Sequence, residues 1–167
     1  MLCQERKDEL LRLTAELVAQ KSNSGCEAEA AEVLRQYMLN HGFDEVTVDG
    51  FGSVIGKIAG SRPGPRLLFD GHLDTVPVAN PAAWSHDPYG CEIEDGRMYG
   101  RGTSDMKGAV AAFTSAARLF AQDCGRDFAG EIYIAGTVHE ECFEGVASRS
   151  ISQFVRPDYV VIGEASL

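Results

Sequence analysis

Arg66-Leu67-Leu68-Phe69-Asp70-Gly71-His72-Leu73-Asp74 decides how this chain is read. A short apolar run, residues 66–69, passes straight into Asp, His and Asp. The figure returns twice: residues 131–135 lead into Gly136-Thr137-Val138-His139-Glu140-Glu141, and residues 159–162 lead into Gly163-Glu164. Runs this short, apolar at nearly every position, fit strands buried on both faces in the middle of a mixed or parallel sheet. Between the first two lies a helical pattern over residues 106–120, with Val110, Phe113, Ala117 and Phe120 on it, and a shorter one covers 145–154. Strands alternating with helices predict an α/β fold, a layered sheet with helices on both faces.

In open α/β sheets, ligands gather beyond the carboxyl ends of strands. Three such ends, each followed by His, Asp or Glu, converge on one place if the strands run parallel. Asp105 adds a fourth group directly before a helix, where the helix N-terminus stabilises a carboxylate that can still face a cation. Each group also has a plainer reading. His72-x-Asp74 alone is a hydrogen-bonded loop pair, Asp105 alone a helix N-cap, Glu140-Glu141 a solvated acidic turn, and Glu164 a partner for a neighbouring Arg or Lys. His139 is set aside as a ligand, because adjacent strand residues point to opposite faces and Glu140 and Glu141 have the better claim. It is their joint occurrence, in order and at strand ends, that favours a metal site.

Upstream, Leu10, Leu13 and Leu17 mark an amphipathic helix over 4–20, followed by a polar break at 21–25. Ser24 and Glu27 have the spacing of a capping box for a second helix that carries Ala30, Val33, Leu34, Tyr37 and Met38 and ends at Gly42. Residues 45–48 and 53–59 read as strands around a turn at Asp49-Gly50, and 60–65, with two glycines and two prolines, as a loop.

A length of 167 residues suits one domain, and a net charge of −10 speaks against nucleic acid and against an anionic membrane surface. No stretch approaches the ~20 apolar residues of a membrane span. Cys3, Cys26, Cys91, Cys124 and Cys142 are odd in number and form no CxxC, which predicts free thiols and a cytoplasmic protein. No Gly-x-Ser-x-Gly elbow supports serine hydrolysis. Gly100-x-Gly102, with Asp105 where a third glycine belongs, is a weak nucleotide-binding pattern.

Gly71-His72-Leu73-Asp74-Thr75-Val76-Pro77-Val78 resembles the first signature of the zinc-dependent aminoacylase, acetylornithine deacetylase, succinyl-diaminopimelate desuccinylase and glutamate carboxypeptidase family. Gly100-Arg101-Gly102-Thr103-Ser104-Asp105-Met106-Lys107-Gly108 resembles the second. Thr137-Val138-His139-Glu140-Glu141 resembles the third, with His139 where Asp is frequent, and Ile162-Gly163-Glu164-Ala165 the fourth, with Ala165 in place of proline. Trp84 and Pro88-Tyr89 also sit where members carry a Trp and a Pro-aromatic pair. The resemblance implies the phosphorylase/hydrolase-like catalytic domain of a co-catalytic zinc peptidase, and two divalent ions, most commonly Zn with Co or Mn as substitutes. It implies that Asp105 bridges them, that His72 and Glu164 complete one ion and that Glu141 binds the other. The catalytic pair it implies is Glu140 as general base and Asp74, which holds His72 through its second ring nitrogen. It further implies a cis peptide at Asp105–Met106 and hydrolysis of amide bonds in N-acyl amino acids or small peptides.

Family members are roughly twice this length. The expectation is therefore that residues 1–167 are the amino-terminal part of the catalytic domain, without the lid and dimerisation domain through which members often form homodimers. His41, His72, His86 and His139 are the four histidines, and none follows the fourth signature to serve the second ion. Two readings stand: a metal-dependent amidohydrolase completed elsewhere, or an inactive truncated remnant that binds one metal or none.

Overall fold

The computed structural model describes residues 3–143 and 145–165. These form four α-helices: α1 (Gln4–Ala19), α2 (Ala28–Asn40), α3 (Lys107–Asp123) and α4 (Val146–Val155). The strands are β1 (Glu45–Val48), β2 (Val54–Ala59), β3 (Arg62–His72), β4 (Glu92–Glu94), β5 (Arg97–Tyr99), β6 (Ala129–Thr137) and β7 (Tyr159–Ile162). Five of them make one sheet in the order β1-β2-β6-β3-β7, and β4 and β5 pair as a separate hairpin. The three runs read as strands, β3, β6 and β7, are mutually parallel, while β1 and β2 add an antiparallel wing.

Period-two alternation sorts the strand side chains between two cores. Val54 and Ile58 of β2 and Ile132 and Ile134 of β6 meet Leu13 and Leu17 of α1, Leu34 and Met38 of α2 and Val110 of α3. Ile55, Leu68, Tyr133 and Ala135 point the other way and meet Ile151 and Val155 of α4. Helices therefore cover both faces. Each fully buried aliphatic side chain adds roughly 1.5–3 kcal/mol, and the larger first core carries most of that stabilisation.

Two glycines set how closely the helices approach the carboxyl ends of the strands. Gly71 and Gly136 lie opposite one another in register. A Cβ on Gly71 would stand 2.6 Å from Met106 Cε, and one on Gly136 2.4 Å from Leu34 Cδ2. Their bare surface lets Met106, and with it Asp105, lie over the end of β3.

Two local expectations are corrected. Residues 60–65 are not simply a loop, because β3 begins at Arg62 and runs through Pro63-Gly64-Pro65 with an irregular register against β6 between Arg62 and Arg66. Prolines are tolerated at a bulge, and β7 covers only Leu67–Asp70 of the other side, so fewer donors are needed there. The capping box does not form either. Glu27 occupies the N-cap of α2 without a side-chain cap bond, and both it and Ser24 are used far away. α2 does end as expected, with Gly42 at φ +81° just past its last turn. Among the described residues no helix is long and apolar enough to cross a membrane. The five cysteines are free thiols.

Candidate metal centre

His72 closes β3 with its ring almost wholly buried, 2% exposed. Its Nδ1 donates to the main-chain carbonyl of Asp74 at 2.8 Å. A carbonyl only accepts, so Nδ1 holds a proton, and whenever the ring is neutral its lone pair is at Nε2. That nitrogen faces Asp105 Oδ1 at 3.0 Å, Glu164 Oε1 at 3.9 Å and Glu140 Oε2 at 4.0 Å. His72, Asp105 and Glu141 each bring one ligand atom within 4.8 Å of the others. His72, Glu140 and Glu164, at or just beyond the carboxyl ends of β3, β6 and β7, line a recess of about 190 Å³ together with Ser148, and Asp105 reaches His72 from the segment before α3.

Asp105 is not the N-cap that its position suggests. Met106 takes that place, no side chain caps α3, and the half-exposed Asp105 carboxylate turns to His72. The Asp105–Met106 peptide is cis, as the resemblance implies. Lys107 follows, its side chain buried with Nζ donating to the carbonyl of Gln20 at 2.8 Å. Burial pushes its pKa down to about 8, against the pull of Cys91 and Asp74.

Glu140 and Glu141 lie beyond the end of β6, in a turn entered at His139 with φ +61°. His139 is thus off the strand, and alternation is not what turns it from the site. The main-chain N–H groups of Glu140 and Glu141 donate to Asp74 Oδ1 at 3.1 Å and Oδ2 at 3.0 Å, and Ser24 Oγ adds a third bond to Oδ2 at 2.6 Å. The fully buried Asp74 carboxylate stands 3.7 Å from His72 Nδ1, so the contact expected of it is made by its own carbonyl. Asp74 is a positioning residue for His72 with its main chain and for the two glutamates with its side chain. His139 turns its ring away to Glu27, Nδ1 to Oε1 3.3 Å.

Glu164 follows β7, brought close because Gly163 has no Cβ to meet the Phe113 ring, 2.1 Å from where one would stand. Among the described residues no Lys or Arg pairs with Asp105, Glu140, Glu141 or Glu164, and His72 alone faces three of them. Four carboxylates around one imidazole, with no Lys or Arg among the described residues paired to them, form a donor set that suits divalent metal ions.

The electrostatics of the metal-free cluster follow. For His72, burial opposes the charged ring, but the Asp74 carbonyl and the Asp74, Asp105 and Glu140 carboxylates outweigh it and raise the pKa above 6.5. Burial, then repulsion from Glu164, Glu141 and Asp74, raises Glu140 above 4.5 despite His72; burial and Asp105 raise Glu164. Raised pKa values mean that folding takes up protons, so this contribution is full below the ordinary values and is lost as pH rises through the raised ones. With metal chelated, the wild-type chain should lose stability relative to Glu140→Gln as pH climbs past 4.5. Thermal denaturation across pH reads this out, and superimposable profiles for the two proteins would refute the attribution.

Residues 68–167 match the sequence profile of peptidase family M20/M25/M40. A Ruegeria succinyl-diaminopimelate desuccinylase is 36% identical over 161 residues, which is 92% of this chain and 40% of that protein. An uncharacterized Escherichia coli K12 protein is 33% identical over 170 residues, 98% of this chain and 41% of its own length. The chain thus spans about 40% of the length of these curated relatives. Human carnosine dipeptidase 1 superposes with a TM-score of 0.82 at 23% identity, over 98% of this chain and 40% of that one. A Bacillus subtilis dinuclear metal binding peptidase of the M20 family does so at 0.68 and 19%, over 91% and 40%. At such identities the superpositions show the fold alone.

Proposed function

Because the chain belongs to peptidase family M20/M25/M40, we propose that it is the amino-terminal part of a metal-dependent catalytic domain that hydrolyses amide bonds in N-acyl amino acids or small peptides. The observation that carries this reading is the convergence of His72, Asp105 and Glu141 within 4.8 Å, with Glu140 and Glu164 beside them. Asp105 would bridge two divalent ions, most commonly zinc, with His72 and Glu164 on one and Glu141 on the other. When bound, such ions supply Lewis acidity that polarises a carbonyl and makes water a nucleophile near neutral pH. Glu140 is the acid left over, and its carboxylate takes the proton from the attacking water and delivers it to the departing amine. His72 is fixed in one tautomer by the Asp74 carbonyl, so its donor nitrogen needs no reorganisation. The similarity to a succinyl-diaminopimelate desuccinylase supports drawing this chain's substrate from that class of N-acyl amino acids and small peptides. Five free thiols fit a reducing cytoplasm.

Metal content tests this reading. After loading with Zn²⁺ and desalting, elemental analysis should find at least one ion per chain, because His72, Asp105 and Glu164 can hold one whereas the second has only Asp105 and Glu141 from this chain. Retention of no ion would overturn the metal-hydrolase reading in favour of an inactive remnant.

A further inference from the structure

The segment between α1 and α2, residues 20–27, contributes no proposed ligand, yet it bonds to the segments that carry His72, Asp105 and Glu141. Gln20 accepts from Lys107, two residues beyond Asp105, at 2.8 Å. Ser22 Oγ donates to the Leu73 carbonyl at 2.6 Å, and the Ser22 carbonyl accepts from Thr75 N at 2.9 Å, bracketing Asp74. Ser24 donates to the Asp74 carboxylate at 2.6 Å. Glu27 accepts from His139 N at 2.9 Å and faces the His139 ring at 3.3 Å.

Glu27 is the least expected of these. It stands at the N-cap of α2, where a carboxylate commonly serves its own helix, and it makes no such bond. Instead its carboxylate is 5% exposed and reaches a main-chain donor 112 residues away. Burying a carboxylate is costly unless hydrogen bonds replace its water. The donor it finds belongs to a non-glycine residue with positive φ, a conformation that L side chains seldom adopt. Three consecutive amides, those of His139, Glu140 and Glu141, are thus held by two buried carboxylates, Glu27 and then Asp74. A freely turning peptide at 139 would swing Glu140 and Glu141 together.

We propose that Glu27, acting beside the Asp74 carboxylate that Ser24 bonds, is a positioning residue for the acidic pair: it fixes the His139 turn and so sets where Glu140 and Glu141 present their carboxylates. This rests on the metal-hydrolase reading for its consequence, but not for its geometry. Gln at position 27 keeps an oxygen that accepts from His139 N, whereas Ala removes it.

The test pairs two readouts on the whole chain. Amide hydrogen exchange at 139–141 should quicken at least tenfold in Glu27→Ala and stay near wild type in Glu27→Gln. Affinity for Zn²⁺ alone should fall about 10- to 100-fold in Glu27→Ala, with most of it restored in Glu27→Gln. A role in folding alone would lower the thermal midpoint of Glu27→Ala while leaving Zn²⁺ affinity and exchange at 139–141 unchanged, and that result would overturn the proposal. If Glu27→Ala does not fold, Ser24→Ala carries the same comparison through Asp74, with faster exchange at 140 and 141 expected and unchanged exchange refuting it. A wild-type chain that binds no Zn²⁺ would sink the metal reading, and the exchange result would still decide the positioning role.

Discussion

Changing Glu140 to Gln is expected to lower amide hydrolysis by the active enzyme about 10²–10⁴-fold, the usual worth of a general base, and to leave its metal content unchanged. Gln has nearly the shape of Glu but cannot take a proton from water near neutral pH. The change is local because the main chain of Glu140 is held through its N–H by Asp74 Oδ1, a contact indifferent to the side chain. Turnover of a panel of N-acyl amino acids and dipeptides, with elemental analysis of the same samples, checks both halves. Loss of metal along with turnover would make Glu140 a ligand and leave the base unassigned.

Asp105→Ala should empty the site of both ions. Asp105 is the carboxylate nearest the His72 donor nitrogen, at 3.0 Å, and one of the three grouped donors. Without it His72 and Glu164 would remain for one ion and Glu141 alone for the other, too few ligands for tight binding of zinc, which takes four. Asp105 does not cap α3, so its removal deletes no helix-terminal hydrogen bond and the fold should survive. Elemental analysis after Zn²⁺ loading, beside circular dichroism, gives the answer. A folded variant that keeps two ions would rule out the bridging role.

The strand-end acids were legible in the sequence because a parallel strand leaves a plain mark, a short apolar run, and β3, β6 and β7 each carry one shortly before a ligand-type residue. The expectation of burial on both faces fails for β7, which lies at the sheet edge with all four residues exposed. The parallel pairing of His72 with Thr137 and of Asp70 with Ile162 then brings those ends together. What failed to read was whatever depended on distant partners. Ser24 and Glu27 have the spacing of a local cap, and nothing nearby reveals that their partners lie 50 and 112 residues on. The strand through Pro63-Gly64-Pro65 was hidden because composition there signals a loop, and only the bulge against β6 makes room for residues without donors. Strand alternation is the reason given for setting aside His139, but that residue lies past the end of β6 with φ +61°, and its ring turns to Glu27 instead.

β7 is exposed at all four of its residues and holds to the sheet through its main-chain bonds to β3. His72, by contrast, stands on a central strand with its ring packed away from water. The acids that converge here are therefore unequally preorganised. His72 and the glutamates hung on Asp74 give up little freedom when an ion arrives, so they define where it sits. Glu164 is carried by an exposed edge strand, and whatever freedom it has there is given up from the binding energy at the moment of capture. In return an ion held by both would join an edge strand to an interior one, so occupancy should stiffen residues 159–164.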